Sequence, residues 1–429
     1  LMSKLTDDQI VQLLVRTNDE LEQRELSKAK FHNMVCALIA LWDRKTDVTN
    51  VDLFTVGRFN RQLFSVEKDY PGERNTALIS NWKRNTFVEE KYDPRELLHK
   101  LDDKKTPLFD TLHPYLQNME MSKRDEKWTI KVNEFLEGNG ALYYIERMSK
   151  NPQYRHRFLP LITWMLTTSD PEYRQYLIRL LYRELMENPQ DVLTMMDLFE
   201  HCNDHYLLQG LYCAIYGLTL RSKEEKLLQE IARRVYKRFY ESPTNVPVDI
   251  VLRQWTLKIL ERVESIMPIA DYFKRIVLPF KSQDPVLSQL KEGFGDIYFG
   301  EGKGAHMLYF SMNRDSDFHR YTIGSNNGPD SHEFFTKDEV DGPVPVKLQD
   351  IVDTMAPIIR RDLKYSDALS TYDGGRHSRE RHHNRTERIG KKYQWLALDS
   401  VYARLTDNYW VKDQRSDSWD IGHNGEKLT

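Results

Sequence analysis

Cysteine is scarce: Cys36, Cys202 and Cys213 are the whole complement, and no CxxC pair occurs. A structural zinc site or a disulfide framework needs more thiols at closer spacing, so neither organises this chain. A cytoplasmic location, where thiols stay reduced, is the expectation. No uninterrupted apolar run reaches the ~18 residues of a membrane helix, so no membrane attachment is expected. The opening Leu1-Met2-Ser3-Lys4-Leu5-Thr6-Asp7-Asp8 lacks the apolar centre of a secretory signal. A leucine precedes the first methionine, and the polar close Gly425-Glu426-Lys427-Leu428-Thr429 completes no obvious element. Both favour a fragment of a longer protein. Charge of one sign is lacking too. The formal net charge of −3 does not support a wholly nucleic-acid-binding protein, although a local basic patch is compatible with it.

Catalytic signatures are also missing. A P-loop needs G-x-x-x-x-G-K-[ST] between strand and helix, so that amides cradle phosphate and a hydroxyl reaches magnesium. Gly300-Glu301-Gly302-Lys303-Gly304-Ala305-His306 has the glycines and a lysine, but Gly304 stands where the hydroxyl belongs. A hairpin loop is the expectation there. No G-x-S-x-G, HExxH or EF-hand loop occurs. His201 and His205 stand four residues apart and could share a metal on one continuous helix, with Cys202 or Asp204 near. Asn203-Asp204 is better as a helix boundary and cap, which would destroy that geometry. The expectation is a chain with no cofactor, no metal and no catalysis of its own.

What is present is globular composition, 40% hydrophobic and 30% charged. Residues 1–150 form an N-terminal helical region, with helices over Leu5–Glu25 and Phe31–Trp42 and a turn at Tyr70–Asn75. Trp128–Met148 is helical with a break near Gly138-Asn139-Gly140. Residues 151–290 are more regular. Helices start near Pro171, Pro189, Asp204, Lys223, Pro247 and Pro268, at a spacing of roughly 15 to 24 residues. Paired, they match the length of HEAT or armadillo units, although no side-chain motif repeats. An irregular helical bundle is the plainer alternative. Stripes such as Tyr173, Leu177, Leu180, Leu181 and Leu185 belong to a core. Tyr206–Leu220 is apolar on most faces, and Gly210 and Gly217 would let a neighbouring helix approach closely.

Character changes near Lys291. Glycines and short apolar runs (Ile297–Phe299, Met307–Phe310, Tyr321–Ile323) predict short strands. Asn326–Asp330 and Asp341–Pro345 predict turns, and Val346–Leu363 a helix. Residues 291–429 therefore form a mixed α+β region. The fold class expected is mainly α: an irregular α-solenoid of HEAT-like helix pairs with a small C-terminal α+β region.

One stretch stands out. Arg376, Arg379, Arg381, Arg385, Arg388, Lys391 and Lys392 crowd together with His377, His382 and His383, against Glu380 and Glu387. A helix starting near Glu387 would turn Ile389, Tyr393, Leu396, Ala397, Val401 and Leu405 inward. Lys391, Lys392 and Arg404 would then lie at its rim or outside. Guanidinium groups and a helix N-terminus together suit an anion or an acidic partner. A solvated basic loop, with Arg388 or Arg404 salt-bridged to a neighbouring element, is the bland reading of the same residues.

Two segments resemble a known family. His205-Tyr206-Leu207-Leu208-Gln209-Gly210-Leu211-Tyr212-Cys213-Ala214-Ile215-Tyr216-Gly217, with Val251–Glu261, resembles the helical-repeat region of large prokaryotic STAND ATPases. Glu387–Leu398, continuing to Leu405-Thr406-Asp407-Asn408, resembles a motif further along the same proteins, the Avs-type antiviral group. The resemblance spans roughly residues 190 to 410. It implies a C-terminal sensor that binds a phage protein, such as a structural or packaging protein, and drives oligomerisation. The ATPase and effector would lie outside this chain. Arg388, Lys391, Lys392, Tyr393 and Trp395 match the motif, without a role to carry over. A nucleic-acid-binding module built on Arg376–Lys392 is the alternative. An enzyme whose site forms only in three dimensions, around His319, His332, Asp317 or the Arg376–His383 loop, is a third reading.

Overall fold

The computed structural model describes residues 92–101, 108–138, 140–268, 270–282, 308, 311–312, 318–323, 331–339, 342–375, 387–412 and 419–420. All lie in the unit Tyr92–Thr429, and the expected boundaries at 150/151 and 290/291 fall inside it. The expectations for Leu5–Glu25, Phe31–Trp42, Tyr70–Asn75, Ile297–Phe299, Gly300–His306 and Asn326–Asp330 lie outside the described residues.

The architecture is mainly helical. Its first part runs α1 (Pro94–His99), α2 (Leu108–Gln117), α3 (Met121–Arg124), α4 (Ile130–Glu137), α5 (Ala141–Ser149) and α6 (Arg155–Met165). Then come α7 (Pro171–Glu187), α8 (Asp191–Leu198), α9 (His205–Arg221), α10 (Glu225–Phe239) and α11 (Ile250–Ile266). Aspartates set several starts, because the first amides of a helix have no intrahelical acceptor. Asp170 accepts from the amides of Glu172 and Tyr173, Asp204 from Leu207, and Asp249 from Leu252. The break expected near Gly138–Gly140 separates α4 from α5. Gly140 there has φ 84°, a left-handed conformation that suits glycine. Among the described residues no helix starts at Pro268: turns follow α11, and the Glu264 carboxylate accepts the amides of Phe273 and Lys274 instead.

Helix α9 lies between α7 and α11 and is buried on most faces. A Cβ on Gly217 would come within 2.9 Å of the Tyr182 ring, and one on Gly210 within 3.2 Å of Leu166. Close packing thus offsets the ~1 kcal/mol that a mid-helix glycine costs.

The C-terminal part holds β1 (Ser331–Glu339), β2 (Gly342–Lys347), α12 (Leu348–Pro357), α13 (Asp367–Gly375), α14 (Ile389–Asn408), β3 (Trp410–Lys412) and β4 (Trp419–Asp420). The strands form an antiparallel sheet in the order β2-β1-β3-β4. Two expectations change here. Gly342–Pro345 is strand rather than turn; β2 lies at the sheet edge, where proline, which donates no ladder hydrogen bond, is tolerated. Tyr321–Ile323 belongs to a π-helical turn, not a strand, and Leu308 is helical as well. Short apolar runs do not by themselves separate strand from buried helix.

Two apolar clusters result. One fills the helical array from Tyr92 to Phe280. The other joins α12 and α14 to Met121, Ile130 and Tyr206 of the array. Helix α14 also packs on α9 and α11. The described part of the stretch singled out in the sequence, from Glu387 onward, therefore packs against this array.

Candidate functional site

Helix α14 begins where the sequence predicts, and Ile389, Tyr393, Leu396, Ala397, Val401 and Leu405 are buried. The expected polar rim is not all outside. Lys392, Gln394, Asp399, Thr406 and Asp407 are buried as well. A helix enclosed on several faces must find a partner for every polar group it carries, because an unpaired one costs several kcal/mol, on the order of 2–7.

Lys392 is fully enclosed, and its Nζ donates to Asp125 Oδ1 at 2.8 Å and to Asp204 Oδ2 at 2.7 Å. Asp125 sits in the π-helical turn Asp125–Thr129 between α3 and α4. It also accepts from the Tyr393 hydroxyl at 2.8 Å and from the Thr129 hydroxyl at 2.5 Å. Asp204 is the cap of α9 and receives Arg124 Nη1 at 3.3 Å. All three Arg124 nitrogens donate: besides Nη1, Nε donates to the Leu116 carbonyl, and Nη2 to the Met119 carbonyl and to Asn203 Oδ1. The network balances two cations against two carboxylates. Burial pushes the Asp204 carboxyl up, but Lys392 and Arg124 outweigh it and hold it below the usual range. Asp125 has Lys392 alone as a cation and Asp204 as an anionic neighbour, so burial leaves its carboxyl raised. Burial disfavours the Lys392 charge, yet the two carboxylates more than restore it.

Three further anchors follow along α14. At its start, Asp373 of α13 accepts the amides of Ile389 and Gly390 at 2.8 and 2.7 Å, and the Tyr365 hydroxyl at 2.8 Å. A carboxylate from another element thus satisfies the first amides of the helix and faces the positive end of its dipole. Mid-helix, Gln209 Nε2 donates to Asp399 at 2.8 Å and to both oxygens of Asp249. At its end, Asp407 and Arg253 form a bidentate pair at 2.8 and 3.0 Å, and Arg253 also donates to the carbonyls of Pro247 and Ala403.

The candidate contacts therefore divide. Arg376, Arg379, Arg381 and Arg385 lie outside the described residues. Arg388 is the half-buried residue before α14. Lys391 is half-buried and pairs with Glu387 at 3.0 Å. Arg404 is half-buried, with its Nε enclosed. Lys392 is corrected: it is an internal cation, not a surface contact. His201 lies in the link before α9 and His205 begins that helix, so one continuous helix does not present both. Among the groups named for a three-dimensional site, His319 is buried; Asp317 and the side chain of His332 lie outside the description. Sequence reasoning read Asp204 only as a cap and missed Arg124, Asp125, Asp249, Arg253, Asp399 and Asp407 as anchors of α14. The available signal was charge set into apolar helical context, as with Asp399 between Leu398 and Val401.

At the surface, Asp197, Glu200, Arg233, Arg234, Lys237 and Arg238 line a cavity of about 160 Å³. Arg233 and Arg234 both pair with Glu230, and Arg234 also with Asp197, so much of this charge is compensated within the protein. Among the described residues, no cluster of three or more metal-ligating side chains occurs. No helix there is long and apolar enough to cross a membrane. Comparison with protein-family models, with curated proteins and with solved structures gives no match.

Proposed function

We propose that this chain is a protein-recognition module of an anti-phage defence protein, working without catalysis of its own. Its helices form an irregular HEAT-like solenoid, and α14 with the sheet forms a cap on it. The partner is a phage protein, of the structural or packaging kind, met in the cytoplasm. ATP hydrolysis and the effector belong to regions outside these residues, and oligomerisation belongs to the full-length protein.

One observation carries this reading. The segment that resembles the sensor part of Avs-type STAND proteins is keyed into the helical array by buried, fully paired charges. Such keying preorganises a surface, and preorganisation lowers the ordering cost of binding a partner. The same observation weighs against the alternative, a nucleic-acid module on Arg376–Lys392, because Lys392 is spent inside the fold.

The test is affinity capture with the purified chain from infected and uninfected bacterial lysates. Enrichment of a phage structural or packaging protein from infected cells alone is the expected result, with direct binding of the two purified proteins. Capture of no phage protein would overturn the reading. Retention on DNA or RNA that falls steeply with salt would favour the alternative.

A further inference from the structure

The second anchor of α14 brings two buried carboxylates onto one amide nitrogen. Gln209 Nε2 lies 3.1 and 3.0 Å from the oxygens of Asp249 and 2.8 Å from Asp399 Oδ2. A primary amide nitrogen carries two hydrogens, so it can serve both acids. It brings no positive charge to them, however. Two carboxylates so close in a dry site do not both ionise cheaply.

The surroundings of the two acids differ. Asp249 caps α11, accepting the Leu252 amide at 2.8 Å. It faces the positive end of the helix dipole. The His205 ring, on α9 and half open to solvent, lies 3.5 Å from it. Asp399 lies in the middle of α14, away from the dipole ends. Facing it are Gln209 and Tyr206 from α9, Asp249 from α11, Arg174 from α7 and Tyr402 from its own helix. Arg174 donates to the Tyr206 carbonyl and lies over its ring, with its Nε enclosed and unpaired; its charge offsets part, but not all, of what raises the Asp399 carboxyl. Arg253 of α11 is committed to Asp407, and Lys392 to Asp125 and Asp204.

We propose that the pair Asp249 and Asp399, bridged by Gln209, carries a single proton in total, and that this proton, by removing one of two like charges from the seam, keeps α14 seated on α9 and α11. Asp399 carries the proton and Asp249 the charge. Loss of the proton places two charges in the seam and loosens the seat of α14. Burial, followed by the Asp249 charge, raises the Asp399 carboxyl well above its usual range, in keeping with this assignment. The sign follows from linkage. A raised carboxyl gives its full contribution below the ordinary carboxylate range and loses it as pH rises toward the raised value. The inference stands apart from the recognition reading, since it concerns only how α14 is held.

The test is equilibrium unfolding of the full chain by urea between about pH 5 and 9, for wild type, Asp399→Asn and Asp249→Asn. Asparagine is also a good helix cap, so the second variant keeps the start of α11. The ratio of the wild-type unfolding constant to that of Asp399→Asn should rise with pH, by up to about tenfold per unit, and level off once Asp399 ionises. The ratio to Asp249→Asn should move in the same direction by less, and it decides the matter alone if Asp399→Asn does not fold. Ratios that stay constant across the range overturn the proposal. So does stabilisation of wild type, but of neither variant, by an added divalent cation.

Discussion

Lys392 is the residue on which the most depends. Its ammonium faces two enclosed carboxylates, and Tyr393 beside it donates to one of them. Removing one partner of a buried ionic cluster leaves the remaining charge uncompensated, which costs about 3–5 kcal/mol. Lys392→Met should lose that much stability in urea unfolding. Adding Asp125→Asn to it should return part of the loss, because the excess negative charge is then smaller. An unchanged midpoint in the single variant would contradict the placement. The sequence does not reveal this residue, since Lys392 sits among basic neighbours and takes on their apparent exposure. Its partners stand 267 and 188 positions away. By contrast, Ile389, Tyr393, Val401 and Leu405 are legible, because helical period alone sorts apolar residues inward.

At the scale of elements, the start of α14 has the closest surroundings among the described glycines. A Cβ on Gly390 would lie 2.5 Å from Leu308 Cδ1, 3.0 Å from Asp373 Oδ2 and 3.3 Å from the Tyr365 hydroxyl. Asp373 cannot retreat without giving up the amides it accepts. Gly390→Ala should therefore destabilise the protein by about 1–3 kcal/mol despite the better helix propensity of alanine, as thermal unfolding would show. A stabilised variant would mean that the start of α14 is open. Helix starts marked by aspartate, as at Asp170 and Asp204, are readable because the cap chemistry is local. The strand β2 is not, since Pro343 and Pro345 signal a turn until the edge position excuses them. Nor is the turn after Pro268, where the Glu264 carboxylate takes amides that a new helix would have used internally.

For the whole molecule, the mainly helical class follows from the run of capped amphipathic segments. The seating of α14 against the array does not, because it rests on pairs that meet only in the folded chain: Lys392 with Asp125 and Asp204, Gln209 with Asp399, Arg253 with Asp407. A helix held in this way should open together with the array rather than fray alone. Hydrogen exchange of the amides of α9 and α14, in wild type and in Lys392→Met, tests this most directly. The two helices should share one opening free energy in wild type, and the substitution should lower both by the same amount. Exchange of α14 on its own, with α9 keeping its full protection in the variant, would show that α14 is an appendage and not part of the core.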